Sequence, residues 1–86
     1  MKQFNYIIRN PQGMDLRRIG LLAKLTKRYE GTAITIAKGN QAANAGQLMR
    51  MMRMSVRCGD RIVVTVDGPA EDGAFFNMRR FCESNL

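Results

Sequence analysis

Phe4, Tyr6 and Ile8 alternate with Gln3, Asn5 and Ile7 ahead of the turn residues NPQG. This period of two predicts a strand from Gln3 to Arg9 with one buried face. From Asp15 the period changes: Leu16, Ile19, Leu22, Ala23, Thr26 and Tyr29 recur at steps of three and four, while Arg17, Lys24, Lys27 and Arg28 fall largely elsewhere. That spacing predicts an amphipathic helix from Asp15 to near Gly31. Ile34 and Ile36 then alternate with Thr35 and Ala37, and KGN leads into a second short extended piece, Gln41 to Asn44, so the segment reads as a hairpin. The run QLMRMMRM places Leu48, Met51 and Met52 at helical spacing and stops before Gly59. In DRIVVTVDG, Ile62, Val64 and Val66 alternate inward, predicting the last strand. After Gly68 and Pro69, Glu71 and Asp72 suit the first turn of a final helix, whose apolar stripe is Ala74, Phe75, Met78, Phe81 and Cys82.

The order βαββαβα predicts an α+β fold: a four-stranded, mainly antiparallel sheet with its helices on one face. A ferredoxin-like split βαβ uses only the first six elements. The seventh, an amphipathic C-terminal helix, favours an open-faced β-sandwich with three helices covering one side. With 86 residues the chain is expected to form a single domain, 1–86, and it shows no repeat, linker or low-complexity segment.

Charge narrows the partners. Fourteen Lys and Arg against seven Asp and Glu give +7, which favours an acidic protein surface, nucleic acid or a phosphorylated ligand. Hydrophobic residues make up 45% and charged residues 24%, a globular balance that argues against wholesale disorder. Cys58 and Cys82 form no CxxC pair and there is no histidine, so neither a metal site nor a cofactor is expected, and both thiols read as reduced and structural. No apolar run approaches the roughly 20 residues that span a bilayer, so the expected location is the cytoplasm without membrane insertion.

Three segments in order resemble the phosphocarrier HPr family of the bacterial sugar phosphotransferase system. GMDLRRIG stands where that family has its GLHxRPA-type helix start; ANAGQL resembles its NAKSL segment; GDRIVVTVDG followed by PAEDGA resembles its last strand and final helix start. The resemblance covers nearly the whole chain. It implies an HPr-like sandwich, a non-enzymatic role in sugar transport, and a phosphoacceptor histidine at the head of the first helix. Here that position is Asp15, and the regulatory serine found at the head of the second helix in many members is replaced by Gln47. Arg17 matches the family's arginine beside the histidine, while Arg18 replaces its proline.

Asp15 has two readings. It is a helix N-cap with Arg18 as ion-pair partner, or it is a carboxylate phosphoacceptor; the lack of a second acid among Met14, Leu16, Arg17 and Arg18 favours the cap. By resemblance, a partner-binding patch would comprise Leu21, Gln47, Leu48, Met49 and Met52, ringed by Arg17, Lys24, Lys27 and Arg50, with Arg18 adding charge. Met49 and Met52 are expected to be exposed, whereas Met51 and Met54 are expected to pack beneath the sheet. The resulting expectation is a non-phosphorylatable adaptor or regulator whose protein partner is Enzyme I, a sugar permease component or a regulator. The alternatives are a carrier using Asp15 and a basic nucleic-acid-binding module. The last is disfavoured because Phe4 and Tyr6 share the core-facing side of their strand and no aromatic motif is free to stack bases.

Overall fold

The alternating residues at the two ends of the chain meet across one ladder. In the computed structural model, which describes residues 1–86, β1 (Lys2–Ile7) runs antiparallel to β4 (Arg61–Asp67), with Phe4 opposite Val64 and Tyr6 opposite Ile62. β4 also pairs antiparallel with β2 (Ala33–Lys38), and β2 with β3 (Gln41–Asn44), giving the order β1-β4-β2-β3. Gly39 turns the β2–β3 hairpin at φ +58, a backbone state that a residue without Cβ reaches at little cost.

Three helices, α1 (Leu16–Thr26), α2 (Leu48–Arg53) and α3 (Glu71–Asn85), cover one face, making the expected α+β open-faced sandwich. The period-two residues Ile34, Ile36, Ile62, Val64 and Val66 turn towards the helices and are buried. They meet Ile19 and Leu22 of α1, Met51 of α2, and Ala74, Met78 and Cys82 of α3 in one apolar core. No polar or charged residue is buried with them, so the core is held by apolar burial and packing. The opposite sheet face carries Gln3, Asn5, Thr35 and Thr65, where Gln3 Nε2 donates to Thr65 Oγ1 at 3.1 Å.

Several boundaries and burials depart from the sequence reading. The first strand ends at Ile7 rather than Arg9, because the Arg9 and Asn10 amides turn away to donate to the Leu86 carbonyl at 2.6 and 2.7 Å. The first α-helix stops at Thr26, and Lys27–Tyr29 tightens into a 3-10 turn before Gly31. Leu16, placed by its spacing on the buried stripe, is 57% exposed. At 100° per residue it lies about 120° round the helix from Leu22, beyond the core-facing arc. Phe75 and Phe81 are only half-buried at the edge of the stripe formed by Ala74, Met78 and Cys82.

Candidate functional site

Asp15 immediately precedes α1 in an extended conformation, which leaves its side chain free to fold back over the first turn. Its Oδ1 accepts from the Arg18 backbone N–H at 3.0 Å, and its Oδ2 accepts from the Arg18 guanidinium at 2.8 Å. Both carboxylate oxygens are therefore engaged by one residue. The backbone hydrogen bond from Arg18, followed by its side-chain hydrogen bond and the charges of Arg18 and Arg17, holds the Asp15 carboxyl below the usual carboxylate range. No acid lies in the first turn of α1 to share a metal or a proton with it. The geometry is that of a cap closed by an ion pair.

Arg18 is thus committed. Besides Asp15, its Nε donates to the Asn85 carbonyl at 2.8 Å, so the charge that replaces a proline in the family pattern is pinned rather than free. Arg17 is exposed and forms no ion pair.

At the head of α2, Gln47 is exposed and its side chain caps nothing in the helix; Oε1 instead accepts from the Asn44 backbone N–H at 3.2 Å. This fastens the end of β3 to the start of α2. Along α2, Met51 and Met54 are buried, while Leu48, Met49 and Met52 are exposed, as the methionine pattern implies.

The ten expected patch residues do not form one surface. On the helical wheel, Leu48 and Met52 share one flank of α2, and Arg50 lies on the other, where it lines a hollow of about 310 Å³ with Arg53, Asn40 and Gln41 of the hairpin. Since α1 lies between α2 and α3, its two flanks face different neighbours. Leu21 and Lys24 line a groove with Phe81 and Asn85 of α3, so they belong to the α3 side. Lys27 and Leu16, which the spacing places on the buried stripe, lie on the other flank, towards α2. Exposed Leu16, Leu48, Met49 and Met52 are therefore the apolar residues that α1 and α2 offer to solvent away from the α3 groove, and Lys27 is the cation nearest Leu16 by helical angle. The signal for Leu16 was present in its angle on the wheel; the separation of Leu21 depends on where α3 packs.

Only Lys2, Arg18 and Lys38 among the side-chain cations pair with a carboxylate. Lys38 Nζ reaches Asp60 at 3.0 Å and donates to the carbonyls of Met54 and Ser55, fastening the loop after α2 and the residue before β4 to the end of β2. No group of three His, Cys, Asp or Glu side chains is placed to hold a metal ion. No helix is long and apolar enough to cross a membrane.

The fold and the sequence agree in their likenesses. The family described as "PTS HPr component phosphorylation site" matches residues 2–84. The phosphocarrier protein HPr of Mycoplasma genitalium is 25% identical over 85 residues, covering 99% of this chain and 97% of the relative. A solved histidine-containing phosphocarrier protein from Mycoplasma superposes with a TM-score of 0.87 at 26% identity, covering 93% of this chain and 90% of the other. HPr from Thermoanaerobacter tengcongensis gives 0.90 at 25% identity, with 98% and 93% covered. Family members are phosphocarriers that work with protein partners such as Enzyme I and permeases and are not themselves catalytic enzymes. The match over 83 of 86 positions, on a sheet and helix layer that superpose over 93% and 98% of the chain, places this chain in the HPr phosphocarrier family of the phosphotransferase system.

Proposed function

We propose that this chain is a non-phosphorylatable member of the family, an adaptor or regulator that docks on a protein partner through its first two helices. The observation that carries the proposal is the occupied state of Asp15: the residue at the acceptor position spends both oxygens on Arg18, and the chain contains no histidine. A carboxylate held by an ion pair and a backbone N–H is a weakened nucleophile, because whichever oxygen attacks phosphorus already gives electron density to an Arg18 donor that must shift or compete with the new bond. Part of the expected docking surface supports the reading. Leu16, Leu48, Met49 and Met52 are each exposed on α1 and α2, and neither Arg17 nor Lys27 has a carboxylate partner, which suits a partner with an apolar centre and an acidic rim. Enzyme I, a sugar permease component or a regulator of the same system supplies the partner, by likeness to the family.

Incubation with phosphoenolpyruvate and Enzyme I, followed by intact-mass measurement, tests the first half of the proposal. The expected result is no phosphate adduct on this chain and a labile adduct on the double variant Asp15→His, Arg18→Pro. A labile adduct on the unmodified chain that disappears in Asp15→Asn would establish a carrier using Asp15 instead. Calorimetric titration against Enzyme I and permease components tests the second half: Met49→Ser and Leu48→Ser are expected to weaken whichever complex forms. Absence of binding to every component would remove the adaptor reading.

A further inference from the structure

Helices α1 and α3 are tied together at both ends and parted between them. At one end the Arg18 Nε donates to the Asn85 carbonyl at 2.8 Å; at the other the Asn77 amide donates to the Tyr29 hydroxyl just beyond α1. Between these two clasps lies an open groove of about 320 Å³, lined by Leu21, Lys24, Leu25 and Arg28 on one side and Phe81 and Asn85 on the other. Leu21 is 40% exposed, and Leu25 and Phe81 are half-buried against the core, so the floor is apolar and reached by solvent. The clasps make the groove preformed, which spares a ligand the entropy of ordering it.

Its rim is cationic. Lys24 and Arg28 stand one helical turn apart, a spacing at which like charges mildly disfavour the helix, and neither has a carboxylate partner in the chain. A second copy of this chain is a poor occupant, because each copy carries +7. An apolar floor with two unpaired cations along its α1 rim matches an apolar side chain flanked on that side by carboxylates.

We propose that the α1–α3 groove is a second docking face, which receives an acidic segment of a partner protein with one apolar side chain seated over Leu21, Leu25 and Phe81 and its carboxylates on Lys24 and Arg28. The site is separate from the α1–α2 surface, so a partner here and a partner there need not compete.

The test is a titration of the isotope-labelled full chain, followed by backbone amide shifts, with a synthetic peptide in which Leu and Phe one turn apart are flanked by Glu and Asp. The expected result is saturable shifts confined to Leu21–Arg28 and Phe81–Asn85, weakened roughly fivefold or more by Leu21→Ser and by Arg28→Glu. Raising salt from about 50 to about 300 mM should weaken binding further. Met49→Ser should leave it unchanged, which separates this site from the α1–α2 surface. Both test residues lie at the surface, and retained amide dispersion in each variant shows that loss of binding is not loss of fold. Equal binding of a peptide whose Leu and Phe are replaced by Ser, shifts centred on Leu48–Met52, or no shift at about 1 mM peptide would overturn the proposal. So would shifts at these amides with mixed-sequence RNA or anionic vesicles but not with the peptide.

Discussion

Arg18 and Asn85, 67 positions apart, are joined by a hydrogen bond of 2.8 Å from guanidinium to backbone carbonyl. The same guanidinium holds Asp15 at 2.8 Å, so the head of α1 and the tail of α3 share one cation. Arg18→Pro, the change that would restore the family pattern, removes both of these contacts and also the backbone N–H that Asp15 Oδ1 accepts from. In this chain the aspartate and the arginine form one structural unit. Restoring a carrier therefore loosens the join between two helices, and faster amide exchange at the end of α3 in the Asp15→His, Arg18→Pro variant is the expected sign of it.

Asp15→Ala and Asp15→Asn should part company in thermal unfolding. Alanine removes both the cap and the ion pair, and the melting temperature is expected to fall by about 4 °C or more. Asparagine keeps an oxygen for the Arg18 N–H and loses only the ion pair, so its fall should be clearly smaller. Equal losses would mean that the cap contributes nothing.

Acid should unfold the chain partly through two carboxylates. Asp15 is held below its ordinary value of 3.8 by the Arg18 backbone N–H first and the Arg18 side chain next; Asp60 is held below 3.8 by the Arg57 backbone N–H first and the Lys38 ammonium next. In both, the unfolded chain takes up its proton at higher pH than the folded one. The stability they contribute is therefore present above 3.8 and is lost as pH falls through the folded values. Urea midpoints measured from neutral pH downward should drop more steeply for the unmodified chain than for Asp15→Asn, Asp60→Asn below about pH 4.

The two cysteines should be told apart by a thiol reagent. Cys58 is exposed, whereas Cys82 is buried in the core under α3, and burial pushes its thiol up to about 12. Since the thiolate is the reacting species, one thiol per chain should react in the folded protein at about pH 8 and two in denaturant. Cys58→Ser should abolish the folded-state reaction.

The elements legible in the sequence were those whose cause is local. Phe4 and Tyr6 alternate because one face of β1 meets the core, and Ile62, Val64 and Val66 alternate for the same reason on the strand beside it. Asp15 as a cap needs only Arg18, three residues away. What escaped depends on contacts distant in sequence. Nothing near Arg18 announces Asn85, nothing near Lys38 announces the carbonyls of Met54 and Ser55, and Leu21 joins a groove rather than the α1–α2 surface only because α3 packs on that side. Leu16 was misplaced for a different reason: steps of three and four tolerate a residue at the edge of the stripe, and the first turn of α1 leaves it overhanging the core.

Neighbouring apolar residues on one helix should answer to different measurements. Leu22 is fully buried among the sheet residues, so Leu22→Ala leaves a cavity and is expected to cost about 2–5 kcal/mol, a large part of the stability of a domain this size. Leu16, at 57% exposure, already faces water, and Leu16→Ser should change the urea midpoint little. Met49, at 61%, should behave in the same way on α2. If the α1–α2 surface binds a protein, the order reverses in a binding assay: Leu16→Ser and Met49→Ser should weaken the complex, because truncating an apolar anchor at the centre of an interface typically costs more than about 1 kcal/mol. Leu22→Ala, measured at a temperature where it remains folded, should bind nearly as the unmodified chain does. A complex unaffected by both surface substitutions would mean that the exposed leucines and methionines of these two helices are not where the partner sits.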